Sequence, residues 1–212
     1  DLLESSNTAN DDNRINNVAI IGAGIMGRGI AQTVASMGLE VVIIELDPEK
    51  LESAKEKLSD NIDVEIKRWA MTKSDKKSIF SRIKWETDMN AVKDCEIIIE
   101  AVQEDFDSKV RVFKQLDKIV NPEAIFVSNT STLSLTNISE SLSRPTKVIG
   151  MHFLNPVPKV PMVELVKSLH TSNETVLKIK EFASRIGKTP VEVYEYPGFI
   201  TTRAIVPLIN EA

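Results

Sequence analysis

His152 and Glu164 are the two residues whose types and spacing could move a proton. They stand 12 residues apart, too far for neighbours on one helix. Between them Phe153-Leu-Asn-Pro-Val-Pro158 must turn the chain, and a strand returning along Val160 to Val166 could set Glu164 beside the imidazole. A carboxylate on one ring nitrogen fixes the tautomer and stabilises the imidazolium, leaving the other nitrogen to take a proton. Such a base suits the removal of a hydroxyl proton while hydride leaves the same carbon. The two residues also fit a core histidine with an unrelated surface glutamate, and spacing alone does not choose. His170, near a polar Thr-Ser-Asn turn, reads as exposed. No metal site is expected.

A hydride needs an acceptor, and the stretch Val18 to Gly29 offers a place for one. The apolar run Val18 to Ile21 reads as a buried parallel strand. It enters Gly22-x-Gly24-x-x-Gly27, and a helical pattern of Ile25, Ile30, Val34 and Met37 follows. Gly22 permits the tight turn, Gly24 lets the backbone approach a pyrophosphate, and Gly27 lets helix and strand pack closely. The helix N-terminus offers free N–H groups and a positive dipole end to the phosphates. A second apolar strand, Val41 to Ile44, ends in Glu45, 18 residues after Gly27. An acid there can accept hydrogen bonds from both ribose hydroxyls. It would also repel a 2′-phosphate, and no arginine follows it in Leu46 to Lys50, so the cofactor is expected to be NAD rather than NADP.

The elements that must position these groups alternate along the chain. Pro48 begins a helix predicted to run to about Met71, with Leu51, Ala54, Leu58, Ile62, Ile66 and Trp69 as its apolar stripe. A second short helix, Thr72 to Ser81, completes a hairpin longer than one crossover needs. Its lysines read from charge alone as a solvated face, with an anionic ligand tail as the sharper alternative. Ile83 to Trp85 fits a short strand. The run Ile97 to Ile99 leads into Glu100-Ala-Val-Gln-Glu104, and Asp107 to Val120 is an amphipathic helix pattern. Ala124 to Val127 delivers Ser128-Asn-Thr-Ser131, and a short helix follows near Leu135 to Leu142. Lys147 to Met151 is read as a strand that delivers His152, and Pro161 to Lys167 as the strand carrying Glu164. Asn173 is a plausible N-cap for a helix reaching Ile186, with Gly187 as its stop, and Thr189 to Tyr194 is a last strand. This alternation predicts a Rossmann-like α/β fold with a doubly wound, mostly parallel sheet and a helical hairpin insertion. Ligands of such sheets sit beyond the carboxyl ends of the strands, and the glycine loop, Glu45, Glu104, Ser131 and His152 all fall there.

The bounds are broad. The chain has 212 residues, 42% hydrophobic and 27% charged, which fits a soluble globular protein. Its net charge of −5 argues against non-specific nucleic-acid binding, and no run is apolar enough to span a membrane. Cys95 is the lone cysteine, compatible with a cytoplasmic or other reducing compartment. Residues 1–13 read as a flexible polar tail and residues 14–196 as the NAD-binding domain. Residues 197–212, after the Pro197-Gly198 break, read as the first helix of a second domain that is otherwise absent. The start at Asp1 suggests a fragment or a processed chain.

Several motifs together resemble the L-3-hydroxyacyl-CoA dehydrogenases. They are Gly22-Ala-Gly-Ile-Met-Gly-Arg-Gly-Ile-Ala31, Ser128-Asn-Thr-Ser131, Met151-His-Phe-Leu-Asn-Pro-Val-Pro158, Val163-Glu164 and Pro197-Gly-Phe-Ile200. The resemblance spans about Asn16 to the end. It implies oxidation of an (S)-3-hydroxyacyl-CoA to the 3-oxoacyl-CoA with NAD, in fatty-acid β-oxidation or a related acyl-CoA pathway. By it, His152 is the general base and Glu164 its partner. Ser131 contacts the substrate oxygen or thioester, and Asn155 orients substrate and nicotinamide. The NAD site comprises Gly22, Gly24, Ile25, Met26, Gly27, Glu45, Val102, Glu104, Lys109, Asn129 and Asn155. Lys67 on the hairpin matches a lysine that contacts coenzyme A, whereas the neighbouring serine of the family is Asp60 here. An active-site asparagine of the family is replaced by Thr202. The family's helical domain mediates dimerisation and closes over the acyl chain, so the parent is expected to be a homodimer and this chain alone poorly active. Rival expectations are a relative oxidising a non-CoA hydroxy acid and a non-catalytic NAD-binding structural protein.

Overall fold

The computed structural model describes residues 15–211, so the tail expected over residues 1–13 lies outside the described residues. In chain order the elements are β1 (Asn17–Ile21), α1 (Ile25–Ser36), β2 (Glu40–Ile44), α2 (Pro48–Lys67), α3 (Lys73–Arg82), β3 (Ile83–Glu86), β4 (Ile97–Glu100) and α4 (Phe106–Leu116). They continue with β5 (Ile125–Ser128), α5 (Leu135–Glu140), β6 (Val148–Phe153), β7 (Met162–Lys167), α6 (Asn173–Arg185), β8 (Thr189–Val193) and α7 (Thr201–Asn210). The strands form one sheet in the order β3-β2-β1-β4-β5-β6-β7-β8. Every neighbouring pair is parallel except β6 and β7.

The central strands are apolar throughout because helices cover both faces. Val18, Ile20, Ile43, Ile97 and Ile99 point into a core shared with Ile30 and Val34 of α1, Leu58 and Ile62 of α2, Ile79 of α3 and Phe182 of α6. Ala19, Ile21, Ile98 and Phe126 point the other way, against Phe113 and Leu116 of α4 and Ile138 of α5. Burying each such large side chain contributes about 1.5–3 kcal/mol. After β1 the chain builds outward through β2 and β3, then returns to place β4 on the other flank of β1. The crevice at the carboxyl ends of β1 and β4 is therefore a topological switch point, where ligands of open α/β sheets bind.

Four boundaries differ from the sequence expectation, each for a local reason. α2 starts at Pro48, with Asp47 accepting from the Glu49 and Lys50 amides, but it stops at Lys67. Trp69 leaves the apolar stripe: it sits in the turn to α3 at φ 60° and is 96% exposed. α4 ends at Leu116 instead of Val120, because after Asp117 the Lys118 and Ile119 amides turn to carbonyls only three residues back, Gln115 and Leu116, and the α-helical spacing is lost. Ser172, not Asn173, caps α6, its hydroxyl accepting from the Thr175 amide at 3.1 Å. His152 lies inside β6, not beyond it. The hairpin is anchored in the core by Ala54, Leu58, Ile62 and Ile79.

Candidate active site

The reversal of β7 against β6 makes the dyad. In their antiparallel register His152 faces Glu164 directly, with Met151 facing Leu165 and Phe153 facing Val163. Residues alternate between faces along a strand. Met151, Phe153, Val163 and Leu165 therefore fill the core on one face, and His152 and Glu164 share the other. Both are buried, and His152 Nδ1 lies 2.6 Å from Glu164 Oε2. The second carboxylate oxygen, Oε1, accepts from the amides of Ile200 at 3.0 Å and Thr201 at 2.9 Å, so Glu164 holds the first turn of α7. The ring of Phe199 covers the imidazole at a centroid distance of 5.5 Å. Burial pushes the Glu164 carboxyl up, but the bonds from His152 and from the Thr201 and Ile200 amides outweigh it and hold the group below its ordinary value. An ionised carboxylate only accepts hydrogen bonds. Nδ1 must then carry the hydrogen, and Nε2 is left as the acceptor.

A second polar cluster lies past the ends of β4 and β5. Glu100, fully buried, accepts from Lys109 Nζ at 2.7 Å, Ser128 Oγ at 2.8 Å and the Val102 amide at 2.8 Å. Burial raises the Glu100 carboxyl, against the pull of the Lys109 charge. Lys109 is 1% exposed and also meets Glu104 at 3.1 Å. Its ammonium is thus enclosed by two carboxylates, which makes it the hub of this cluster rather than a group held out towards a ligand. Glu104 gathers the Ser131 loop: it accepts from Thr130 Oγ1 at 2.5 Å, the Ser131 amide at 2.9 Å and the Thr132 amide at 3.2 Å. Asn129 ties the same loop to the dyad strand, its Oδ1 accepting from the Phe153 amide at 3.0 Å. The Ser131 carbonyl accepts from the Gly198 amide at 3.2 Å, next to the segment that caps and covers the dyad. The Ser131 loop is thereby tied to the strand of His152 and to the segment that covers the imidazole, while the Ser131 hydroxyl itself lies 3.3 Å from Glu104.

The glycine loop fits a dinucleotide. Gly22 has φ +102°, and a Cβ there would meet the Ala101 carbonyl oxygen at 2.7 Å. A Cβ on Gly27 would stand 1.9 Å from the Gly22 oxygen, so strand and helix close on each other only through glycine. A Cβ on Gly24 would meet nothing within 4 Å. The space beside Gly24 opens at the N-terminus of α1, whose first turn has no side-chain cap and no acid. Those amides are free for a phosphate. Ile25 is exposed beside them and Met26 half-buried. Glu45 is half-buried at the end of β2, and its nearest amides, Ala23 at 3.5 Å and Asp47 at 3.4 Å, leave its oxygens able to accept from a ribose. It lines a cleft of about 390 Å³ with Ala23, Gly24, Asp47, Lys50 and Lys57.

The remaining expected residues are more scattered. Val102 is half-buried after β4 and Thr202 half-buried in the first turn of α7. Lys67 is exposed in the last turn of α2, and Asn155 exposed on the loop from β6 to β7. Asn155 borders a cavity of about 570 Å³ between α1, α2 and the turn before β8. Glu100 and the α7 amides were absent from the sequence expectation. An acid closing the apolar run Ile97 to Ile99 was the available signal for Glu100; backbone donors 36 and 37 residues from Glu164 leave none.

Residues 17–196 match the family model described as 3-hydroxyacyl-CoA dehydrogenase, NAD binding domain. A probable 3-hydroxybutyryl-CoA dehydrogenase of Bacillus subtilis is 40% identical over 198 residues, which cover 93% of this chain and 69% of that relative. The crystal structure of an (S)-3-hydroxybutyryl-CoA dehydrogenase from Ralstonia eutropha superposes with a TM-score of 0.90 at 40% identity, over 93% of this chain and 70% of that one. A 3-hydroxybutyryl-CoA dehydrogenase from Escherichia coli gives 0.89 at 33% identity, over 93% of this chain and 42% of that one.

Proposed function

The chain belongs to the 3-hydroxyacyl-CoA dehydrogenase family, as its NAD-binding domain, and from that premise we propose how its own residues carry the reaction. It is an NAD-dependent oxidoreductase of hydroxyacyl-CoA thioesters. In our reading His152 Nε2 takes the hydroxyl proton of an (S)-3-hydroxyacyl-CoA, and a C=O bond forms at C3 as hydride departs. NAD⁺, when bound, supplies the acceptor for that hydride. Glu164 stabilises the imidazolium and keeps the hydrogen of the resting ring on Nδ1. Ser131 and Asn155 orient the substrate oxygen and the reacting carbon, and the Glu104–Lys109–Glu100 cluster fixes the Ser131 loop. Gly22, Gly24 and Gly27 with the α1 amides hold the pyrophosphate, and Glu45 the adenosine ribose. Lys67 meets the coenzyme A tail.

The observation that carries this reading is the 2.6 Å contact of His152 Nδ1 with Glu164. It leaves one ring nitrogen free, in a sheet whose switch point is built for a dinucleotide. In the domain division we favour, residues 14–196 hold NAD and residues 197–212 open a helical domain that covers the acyl chain and pairs two subunits. The exposed Ile205, Leu208 and Ile209 of α7 support it. The pathway we favour is fatty-acid β-oxidation or a related acyl-CoA route. The test is reduction of acetoacetyl-CoA by NADH in the parent enzyme, whose helical domain covers the acyl chain in this reading. His152→Ala should abolish turnover and leave NADH affinity intact, because the base acts on the substrate alone. A His152→Ala variant that retains turnover would overturn the assignment of the base.

A further inference from the structure

Lys188, in the turn between α6 and β8, is a buried cation that nothing in the reaction above employs. It is 6% exposed, and burial lowers its pKa. Among the described residues no carboxylate pairs with it. Its ammonium donates instead to two backbone carbonyls, Val157 at 2.5 Å and Val160 at 2.6 Å. A desolvated ammonium held only by neutral carbonyls is costly to bury, and what it holds is specific. Both carbonyls belong to the loop that leaves His152 and returns to Glu164, and Asn155 is on that loop.

The same loop is also held by α1 and α2. Val157 is 2% exposed and lies against Gly29 of α1, where a Cβ on the glycine would meet Val157 Cβ and Cγ2 at 3.1 Å. Lys159 reaches Glu65 of α2 at 2.9 Å. The Lys159 and Val160 amides both donate to the Pro156 carbonyl, at 3.0 and 3.1 Å, which makes the loop one tight turn. Its placement against the dinucleotide helix is therefore set by Gly29 and by Lys188 together.

We infer that Lys188 is a positioning residue of the dehydrogenase: it clamps the Asn155–Val160 loop onto α1 and so fixes Asn155 relative to His152 and the cofactor. The inference rests on the proposed function, in which Asn155 orients the reactants. A displacement near 1 Å at a reacting centre costs up to about 100-fold in rate.

The experiment measures acetoacetyl-CoA reduction, NADH affinity and amide exchange in the parent enzyme as wild type, Lys188→Met, Lys188→Arg and Gly29→Ala. Lys188→Met keeps the stem and removes the donors. Its kcat should fall about 10- to 100-fold, with NADH affinity within about twofold and faster exchange at the Lys159 and Val160 amides. Lys188→Arg, which can still donate to both carbonyls, should recover most of the rate. A double-mutant cycle with Asn155→Ala gives the readout that a merely structural role would not move. Residues acting through one group are non-additive, so Lys188→Met should cost little once Asn155 is gone. Gly29→Ala pushes the loop at Val157 and should lose kcat with the same non-additivity, which keeps the test alive if Lys188→Met does not fold. Additive losses, or a wild-type kcat despite faster exchange, would overturn the inference alone. A wild-type parent enzyme that binds NADH but leaves acetoacetyl-CoA unreduced would overturn the proposed function, and this inference with it.

Discussion

Glu164→Gln tests the dyad at its most constrained point. Both carboxylate oxygens are engaged, Oε2 with His152 Nδ1 at 2.6 Å and Oε1 with the Ile200 and Thr201 amides at 3.0 and 2.9 Å. Glutamine has one acceptor oxygen and one NH₂ donor. If its oxygen stays with the helix amides, the NH₂ confronts Nδ1 and drives the ring hydrogen to Nε2, where no substrate proton can then be accepted. If the oxygen turns to His152, the NH₂ meets two backbone donors and strands them. In both cases the charge opposite the imidazolium is gone. A hydrogen bond to a charged group is worth about 1.5–3 kcal/mol, and a buried group left unpaired costs about 1–3 kcal/mol. Because only part of the second cost falls on the transition state, a combined loss of about 2–4 kcal/mol is expected. That is roughly 30- to 1000-fold in kcat, in line with the usual contribution of acid–base catalysis. The assay is NADH-dependent acetoacetyl-CoA reduction by the parent enzyme, with NADH affinity measured separately and expected to be unchanged. A Glu164→Gln enzyme within about threefold of wild type would refute the reasoning, since neither orientation of the amide can then be as damaging as the geometry requires.

Gly24→Ala should fold normally, because its Cβ meets no protein atom, yet weaken NADH by about tenfold or more, because that open space is where the backbone must approach the pyrophosphate. Gly27→Ala should instead lower the melting temperature, since its Cβ would stand 1.9 Å from the Gly22 oxygen; equal NADH affinity in Gly24→Ala and wild type would contradict the assigned roles. Burial pushes Glu104 up, but the bonds from Thr130 and Ser131 and the Lys109 charge hold it at about 2, below its ordinary 4.5. A depressed carboxylate stabilises the fold above its unfolded pKa and loses that contribution as pH falls through its folded one. The melting-temperature gap between wild type and Glu104→Gln should therefore be full above about pH 5 and close towards pH 2; a gap that widens on acidification would count against the cluster. Cys95 is 4% exposed, with its thiol pushed up to about 12 by burial and by Asp94 and Glu96. It should resist thiol reagents until denaturant is added, and rapid stoichiometric labelling of the folded chain would show the packing to be wrong.

What was legible in the sequence is what local chemistry dictates. The glycines, Glu45 and the apolar runs follow from backbone sterics and burial, and each is found where its residue types require it. His152 and Glu164 were legible as a pair only up to an alternative, which the β6–β7 register resolves. Trp69 was misplaced because its spacing continues the stripe of α2, and nothing local reports that α3 must turn back onto α1. Ser172 and Asn173 are both competent caps, so their order could not be settled without the backbone. The grip of Glu164 on α7 and of Lys188 on Val157 and Val160 are bonds from a side chain to distant peptide groups. Any residue with a backbone could have provided the partner, so residue type carried no trace of either.

The facing of His152 and Glu164 also sets a rule of parity on how this chain can change length. Cross-strand partners share a face only while the pairing keeps its step of two. An insertion or deletion outside β6 and β7 leaves the two side chains facing each other. A single residue gained or lost within β7 ahead of Glu164 would rotate its carboxylate through the sheet, into the layer of Phe153, Leu165 and Ile179. There it would meet neither the imidazole nor the α7 amides. A two-residue change would restore the face but move the carboxylate two residues along β6, out of register with His152 and away from the α7 amides. Descendants of this sequence are thus free to substitute along these strands far more readily than to lengthen or shorten them.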